Sequence, residues 1–274
     1  MSQPILLLGH GYIAHALAKE AENRGIQIVG NVIPGRNLNF TILRAMIQDH
    51  NPKLVINAAA FIPTPSVDAC KDHPMENIQG NVMLPATIAH ACREQDVPLM
   101  QISTGCLFDE QREYTEEDTP TRGWNGYCGA YVGAKLMAEK VVLENPESYV
   151  LRIRLPFDEV DSPRNYLSKI AGYIGVWDQT NSLTHRGDFA AAAIYLWRIG
   201  APFGVYHMTN PGHVSTRQVL MAMRSAGIID RCPEIVEAHE NRGGKLSTDK
   251  LRKAGVIMRP VEEAVRESIN NWRK

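Results

Sequence analysis

Pro4-Ile5-Leu6-Leu7-Leu8-Gly9-His10-Gly11-Tyr12-Ile13-Ala14 passes from an unbroken apolar run into a glycine turn, and its reading decides the fold. Beyond the turn, Ala16, Leu17 and Ala21 recur at helical spacing. The order is strand, tight turn, helix. In that setting Gly-x-Gly-x-x-Ala points to a dinucleotide site, because glycines permit the turn and a close backbone approach. The free N–H groups at the helix start can then meet a pyrophosphate. Gly9, His10, Gly11, Tyr12 and Ile13 are candidate cofactor residues, with an ordinary strand-to-helix turn as the alternative.

Working outward, Ile26–Val29 and Lys53–Asn57 read as further strands, with helical spacing over Leu43–Gln48 between them. A helix over Glu76–Gln95, a strand over Pro98–Ser103, a helix from Tyr131 to Leu143 and a strand over Ser148–Arg154 continue the alternation. Such alternation predicts an α/β fold, a Rossmann-type doubly wound parallel sheet with ligands at the carboxyl ends of its strands. After Leu155-Pro156 the rhythm loosens, with helices expected over 166–173, 188–198, 216–226 and 260–272. The expected organisation is a dinucleotide-binding domain over 1–158 and a smaller substrate lobe over 159–274, some of whose segments return to the sheet.

Asn57-Ala58-Ala59-Ala60 ends the third strand with small side chains, where an adenine ribose can lie against backbone. No Asp or Glu closes the second strand, which runs Gly30-Asn-Val-Ile-Pro-Gly-Arg36. A carboxylate there would accept from a ribose 2′-hydroxyl, whereas an arginine pairs with a 2′-phosphate. Arg36 therefore favours NADP(H) over NAD(H), unless it is simply a solvated loop cation.

The 274 residues, 44% hydrophobic and 22% charged, suffice for a full core. A net charge of −1 supplies no field for a polyanion, so no nucleic-acid partner is expected. No apolar run approaches the roughly 18 residues of a membrane span, and the N-terminal stretch has no basic segment or cleavage site, so a cytoplasmic protein without a membrane partner is expected. Five dispersed cysteines without C-x-x-C spacing argue against a disulfide framework and a zinc site.

Tyr131-Val-Gly-Ala-Lys135 places a phenol and an amine one helical turn apart, downstream of Ser103-Thr104-Gly-Cys106. An ammonium near the phenol favours the phenolate by opposite charge. A phenol so tuned can give a proton to a carbonyl oxygen that is receiving hydride. The bland alternative is a solvated helix face with a partly buried ring.

The order of glycine turn, Asn-Ala-Ala, Ser-Thr and Tyr-x-x-x-Lys resembles the extended short-chain dehydrogenase/reductases that act on sugar nucleotides. Within them, Ser103–Phe108, Arg152–Pro156, Pro163–Lys169, Asn181–Thr184 and Thr209–Gly212 with Val214-Ser215 are similar to the nucleotide-rhamnose synthases, which are 3,5-epimerase/4-reductases. The single-function dTDP-4-dehydrorhamnose reductases are their cousins. The resemblance spans nearly the whole chain. It implies that Thr104 bonds the 4-keto oxygen of a nucleotide-diphosphate sugar, that Tyr131 protonates it, and that Lys135 holds the nicotinamide ribose.

For epimerisation the resemblance puts Cys106 and Lys169 in the acid and base roles, with a thiol of ordinary pKa ~8.5 tuned by neighbouring cations. A buried, inert Cys106 is the alternative. Arg164, Asn165 and Asn181 are candidate substrate binders, or else loop and cap residues. A homodimer through the long helix is a further implication. Two departures stand out: the glycine turn is one residue shorter than the family's, and His185 and Arg186 replace apolar residues. Trp124-Asn-Gly-Tyr127 either flanks a sugar or packs under its loop. Reduction without epimerisation, and a non-catalytic NADP-binding regulatory subunit, are the competing functions.

Overall fold

The structure is a computed structural model that describes residues 4–32, 38–109, 112–237 and 243–273. The chain divides into two compact units, one of Met1–Leu107, Arg122–Arg152 and Trp197–Tyr206, the other of Phe108–Thr121, Ile153–Leu196 and His207–Lys274.

The first unit is built on a six-stranded sheet ordered 204–207, 148–153, 99–104, 54–57, 5–8, 28–32. Strand Ile5–Leu8 pairs in parallel with Ile28–Val32 on one side and Leu54–Asn57 on the other. The chain therefore leaves the first strand in one direction and later passes it in the other. The carboxyl ends of 5–8 and 54–57 form the switch point where open α/β sheets bind ligands. The doubly wound parallel sheet expected from the sequence is thus present, and the neighbours described below share it.

Strands 5–8, 54–57 and 99–104 are buried at every position, as parallel strands covered on both faces must be. Leu6, Leu8, Val55, Ile88, Leu99 and Val150 belong to one core cluster. Each such aliphatic side chain contributes roughly 1.5–3 kcal/mol on burial. Polar residues interrupt the run and find buried partners, Asn57 Nδ2 donating to Gln101 Oε1 at 2.8 Å.

One expected element is broken. Instead of a helix over 76–95, an α-helix at Pro74–Ile78 widens into a π turn at Gln79–Met83 before an α-helix at Leu84–Glu94. Pro85 explains the break, since it has no N–H for the Asn81 carbonyl and its ring would press on that carbonyl in a regular helix. Strand Gly204–His207, absent from the sequence reading as an element, occupies the sheet edge.

The second unit packs helices Tyr166–Ala171, Thr216–Ser225 and Val261–Asn270 around Phe157, Leu167, Leu183, Leu220 and Val265. Short strand pairs frame it: 175–178 with 234–237, 180–181 with 214–215, 156–157 with 184–185, and 113–114 with 245–246. The helix at Thr216 starts with a full capping box between Ser215 and Gln218.

Candidate active site

At the switch point two turns touch. Gly9 has φ +129°, and a β-carbon there would lie 2.9 Å from the carbonyl carbon of Ala58 and 3.0 Å from Ala59 N. Ala58 N donates to Leu8 O at 2.8 Å. Only glycine permits this approach. Gly11 differs: its φ is −92° and a β-carbon would meet nothing within 4 Å. It precedes helix Tyr12–Asn23, which has no side-chain cap and no acidic residue in its first turn, an arrangement that could hold an anion. His10 is exposed, with its ring edge-on to His15, and Tyr12 and Ile13 are half-buried.

The Ala58–Ala60 turn is held from below. Asn57 Oδ1 accepts from Ala59 N at 3.1 Å, and Asn81, in the π turn, accepts from Phe61 N at 3.1 Å and donates to Phe61 O at 2.9 Å. Ala59 is buried and Ala60 exposed. Arg36 lies outside the described residues.

Helix Gly129–Leu143 carries Tyr131, Lys135 and Glu139 on one buried face, exposed by only 7, 2 and 4%. The Thr104 hydroxyl, at the end of strand 99–104, and Cys106 are among the groups acting on the Tyr131 phenol. Burial pushes the phenol's pKa up and Cys106 adds to this, while the Thr104 hydroxyl favours the phenolate and pulls it back. Thr104 Oγ1 also accepts from Cys106 N at 3.2 Å, which ties the half-buried cysteine to the same turn. Lys135 Nζ donates to Ile102 O at 2.8 Å, and burial draws its pKa down to about 8 against the pull of Glu139.

Trp124 is part of this arrangement. Its ring lies where a β-carbon of Gly133 would sit, 2.2 Å from the nearest ring atom, so the glycine inside Tyr131–Lys135 admits the indole. Trp124 therefore packs on the helix that bears the phenol.

The remaining candidates belong to the second unit. Lys169 is half-buried on helix Tyr166–Ala171, its pKa lowered by burial and then by the charge of Arg164. Arg164 is exposed. Asn165 is buried and committed locally: its Oδ1 caps the helix through Leu167 N at 2.9 Å, and its Nδ2 donates to Asp158 O and Val160 O, both at 2.8 Å. Asn181 Oδ1 accepts from Arg154 Nη2 at 2.7 Å and from Gly244 N at 3.2 Å. His185 and Arg186 are taken up locally, His185 Nδ1 accepting from Asp188 N at 3.1 Å and Arg186 forming an ion pair with Asp158.

The model of the RmlD substrate binding domain family matches residues 3–274. The chain belongs to this family. A bifunctional dTDP-4-dehydrorhamnose 3,5-epimerase/dTDP-4-dehydrorhamnose reductase of Arabidopsis thaliana is 32% identical over 224 residues, covering 78% of this chain and 72% of the relative. The chain also matches trifunctional rhamnose-forming enzymes of that plant, one at 32% identity, and spans only 32% of that relative's length. Among solved structures, the L780 UDP-rhamnose synthase of Acanthamoeba polyphaga mimivirus superposes with a TM-score of 0.86 at 23% identity, covering 98% of this chain and 99% of that one. A dTDP-4-dehydrorhamnose reductase of Bacillus anthracis in complex with NADP superposes with a TM-score of 0.82 at 18% identity, covering 99% and 98%.

In this RmlD-family chain several residues around the candidate site were given no role of their own from the sequence. Ser103, Glu139 and Arg152 form a buried network, with Ser103 Oγ donating to Glu139 Oε1 at 2.5 Å and Arg152 Nη2 to Glu139 Oε2 at 2.7 Å. Gln101 and Asn81 support the Ala58–Ala60 turn and the Phe61 that follows it, Gln101 through Asn57. Their signal was polarity inside otherwise apolar segments, which in a buried strand demands a partner. Among the described residues, no group of three or more His, Cys, Asp or Glu side chains could hold a metal ion. No helix among them is long and apolar enough to cross a membrane.

Proposed function

We propose that the chain is an NADP(H)-dependent sugar-nucleotide enzyme that epimerises an NDP-4-keto-6-deoxyhexose at C3 and C5 and reduces its 4-keto group, giving an NDP-L-rhamnose-like product. The observation that carries the reading is the joining of Thr104, Cys106 and Tyr131 around one phenol in a chain of this family. The activities of the relatives at 32% identity support it.

Gly9, His10, Gly11, Tyr12, Ile13, Ala58, Ala59 and Ala60, with Lys135, would hold the dinucleotide, and Arg36 its 2′-phosphate. The close approach at Gly9 and the open face of Gly11 fit a pyrophosphate lying on backbone. When bound, the nicotinamide supplies the hydride. Tyr131, kept protonated by burial, gives its proton to the 4-keto oxygen, which the Thr104 hydroxyl bonds. Lys135 contributes positive charge and a donor for the nicotinamide ribose.

The keto group acidifies C3–H and C5–H, and inverting either centre needs a base and an acid. Cys106 and Lys169 take these roles, the lysine with its pKa already lowered. Arg164 and Asn181 contact the diphosphate or sugar, and Asn165 sets the loop that carries Arg164.

The test is incubation of the purified chain with UDP- and dTDP-4-keto-6-deoxyglucose and NADPH in deuterium oxide. Deuterium at C3 and C5 of a reduced product supports the reading. Hydride transfer without deuterium identifies a 4-keto reductase only, and no turnover with tight NADPH binding identifies a binding module.

A further inference from the structure

Beyond the residues assigned above, a buried carboxylate stands one turn past the candidate lysine. Tyr131, Lys135 and Glu139 follow each other at i, i+4 and i+8, so one face of the helix presents phenol, ammonium and carboxylate in line. The carboxylate is anchored from two strands: Ser103 Oγ donates to Oε1 at 2.5 Å, and Arg152 donates through Nε at 3.1 Å to Oε1 and through Nη2 at 2.7 Å to Oε2. Lys135 is fixed on the same strand as Ser103, donating to Ile102 O at 2.8 Å. The result is a buried chain of alternating charge, Arg152 positive, Glu139 negative and Lys135 positive.

We propose that Glu139 is a positioning residue for the Tyr131–Lys135 pair, its carboxylate one helical turn from Lys135 on the same buried face holding the ammonium charged, so that positive charge persists one turn from the phenol through neutral pH. The proposal rests on the reductase reading for its consequence in catalysis, but not for its electrostatics. A buried ammonium loses its proton unless an opposite charge is near. For Lys135 burial is the larger influence and Glu139 the opposing one. Without the carboxylate, two buried cations, Arg152 and Lys135, would share the space it occupies.

The other groups around this helix bear on different positions. Cys70, Cys106 and Cys128 act on Tyr131, and Asp68 on Cys128. Cys92 packs in the cluster that contains Val142, at the far end. From strand 99–104 the facing groups are the Ile102 carbonyl and the Ser103 and Thr104 hydroxyls. From strand 148–153 it is the Arg152 guanidinium.

The test titrates Lys135 in the full chain carrying 13Cε-labelled lysine, with its resonance assigned by its loss in Lys135→Arg. The alkaline limb of kcat for NADPH-dependent keto-sugar reduction is measured in parallel. Glu139→Gln is expected to move both downward by at least one pH unit, a tenfold change in the ratio of charged to neutral amine. Glu139→Asp should restore most of that shift. Arg152→Gln, which frees the carboxylate to act on Lys135 alone, should move both upward, and it decides the matter if Glu139→Gln does not fold. A Lys135 resonance that titrates at the wild-type pH in the folded variants overturns the proposal, as does a rate limb that stays fixed while the resonance moves. If the resonance shifts as expected but no 4-keto sugar is reduced, the charge relationship stands and the reductase reading falls.

Discussion

Lys135 and Ile102 are joined by a 2.8 Å hydrogen bond from a buried ammonium to a strand carbonyl. Burial brings the lysine from its ordinary 10.5 to about 8, so between those values the folded chain binds fewer protons than the unfolded one. Stability therefore rises with pH across that window. Relative to Lys135→Met, wild-type unfolding free energy should increase by up to about 3 kcal/mol from pH 7.5 to pH 10. Urea unfolding of both proteins at the two pH values measures it, and a constant difference between them contradicts the expectation.

The two glycines of the first turn should separate stability from binding. Gly9→Ala meets both a left-handed φ and the Ala58 backbone, and is expected to cost about 2–4 kcal/mol. Gly11→Ala meets open space, and should leave stability within about 0.5 kcal/mol while weakening NADPH. Denaturation midpoints and fluorescence titration with NADPH distinguish the two effects.

Tyr131→Phe removes the proposed proton donor and is expected to lower kcat by about 10²–10⁴ with NADPH affinity retained. Thr104→Val removes the hydroxyl proposed to bond the 4-keto oxygen, and a loss of about 10² is expected. Single-turnover reduction read at the nicotinamide absorbance checks both. A Tyr131→Phe variant as fast as wild type would remove the phenol from the chemistry.

Asn81 holds both backbone groups of Phe61 and donates to Asn77 Oδ1 at 2.8 Å. Asn81→Ala strands those partners, and a loss of about 2–4 kcal/mol is expected. Because Phe61 follows the Ala58–Ala60 turn, NADPH affinity should fall in the same variant. Urea unfolding and the NADPH titration again provide the readout.

The first strand, the glycine turn and the Tyr131–Lys135 helix were legible because they are local patterns: an apolar run, a turn that needs glycine, and a four-residue spacing. Asn165 shows where such reading falters. Its motif left a substrate contact and a helix cap both open, and the structure shows its amide capping a helix and holding the Asp158 loop, bonds that depend on how the loop folds back.

By itself the sequence determined the alternation of strands and helices, the glycine turn and the phenol–amine pair, since each follows from periodicity and spacing within a few residues. Tertiary structure alone decided that Gly9 must meet Ala58, that Pro85 opens a π turn whose Asn81 clamps Phe61, and that Ser103 and Arg152 converge on Glu139. The reason is burial. A polar side chain in a covered strand or helix must find its partner across the fold, and which partner it finds depends on strand order, which no local pattern encodes.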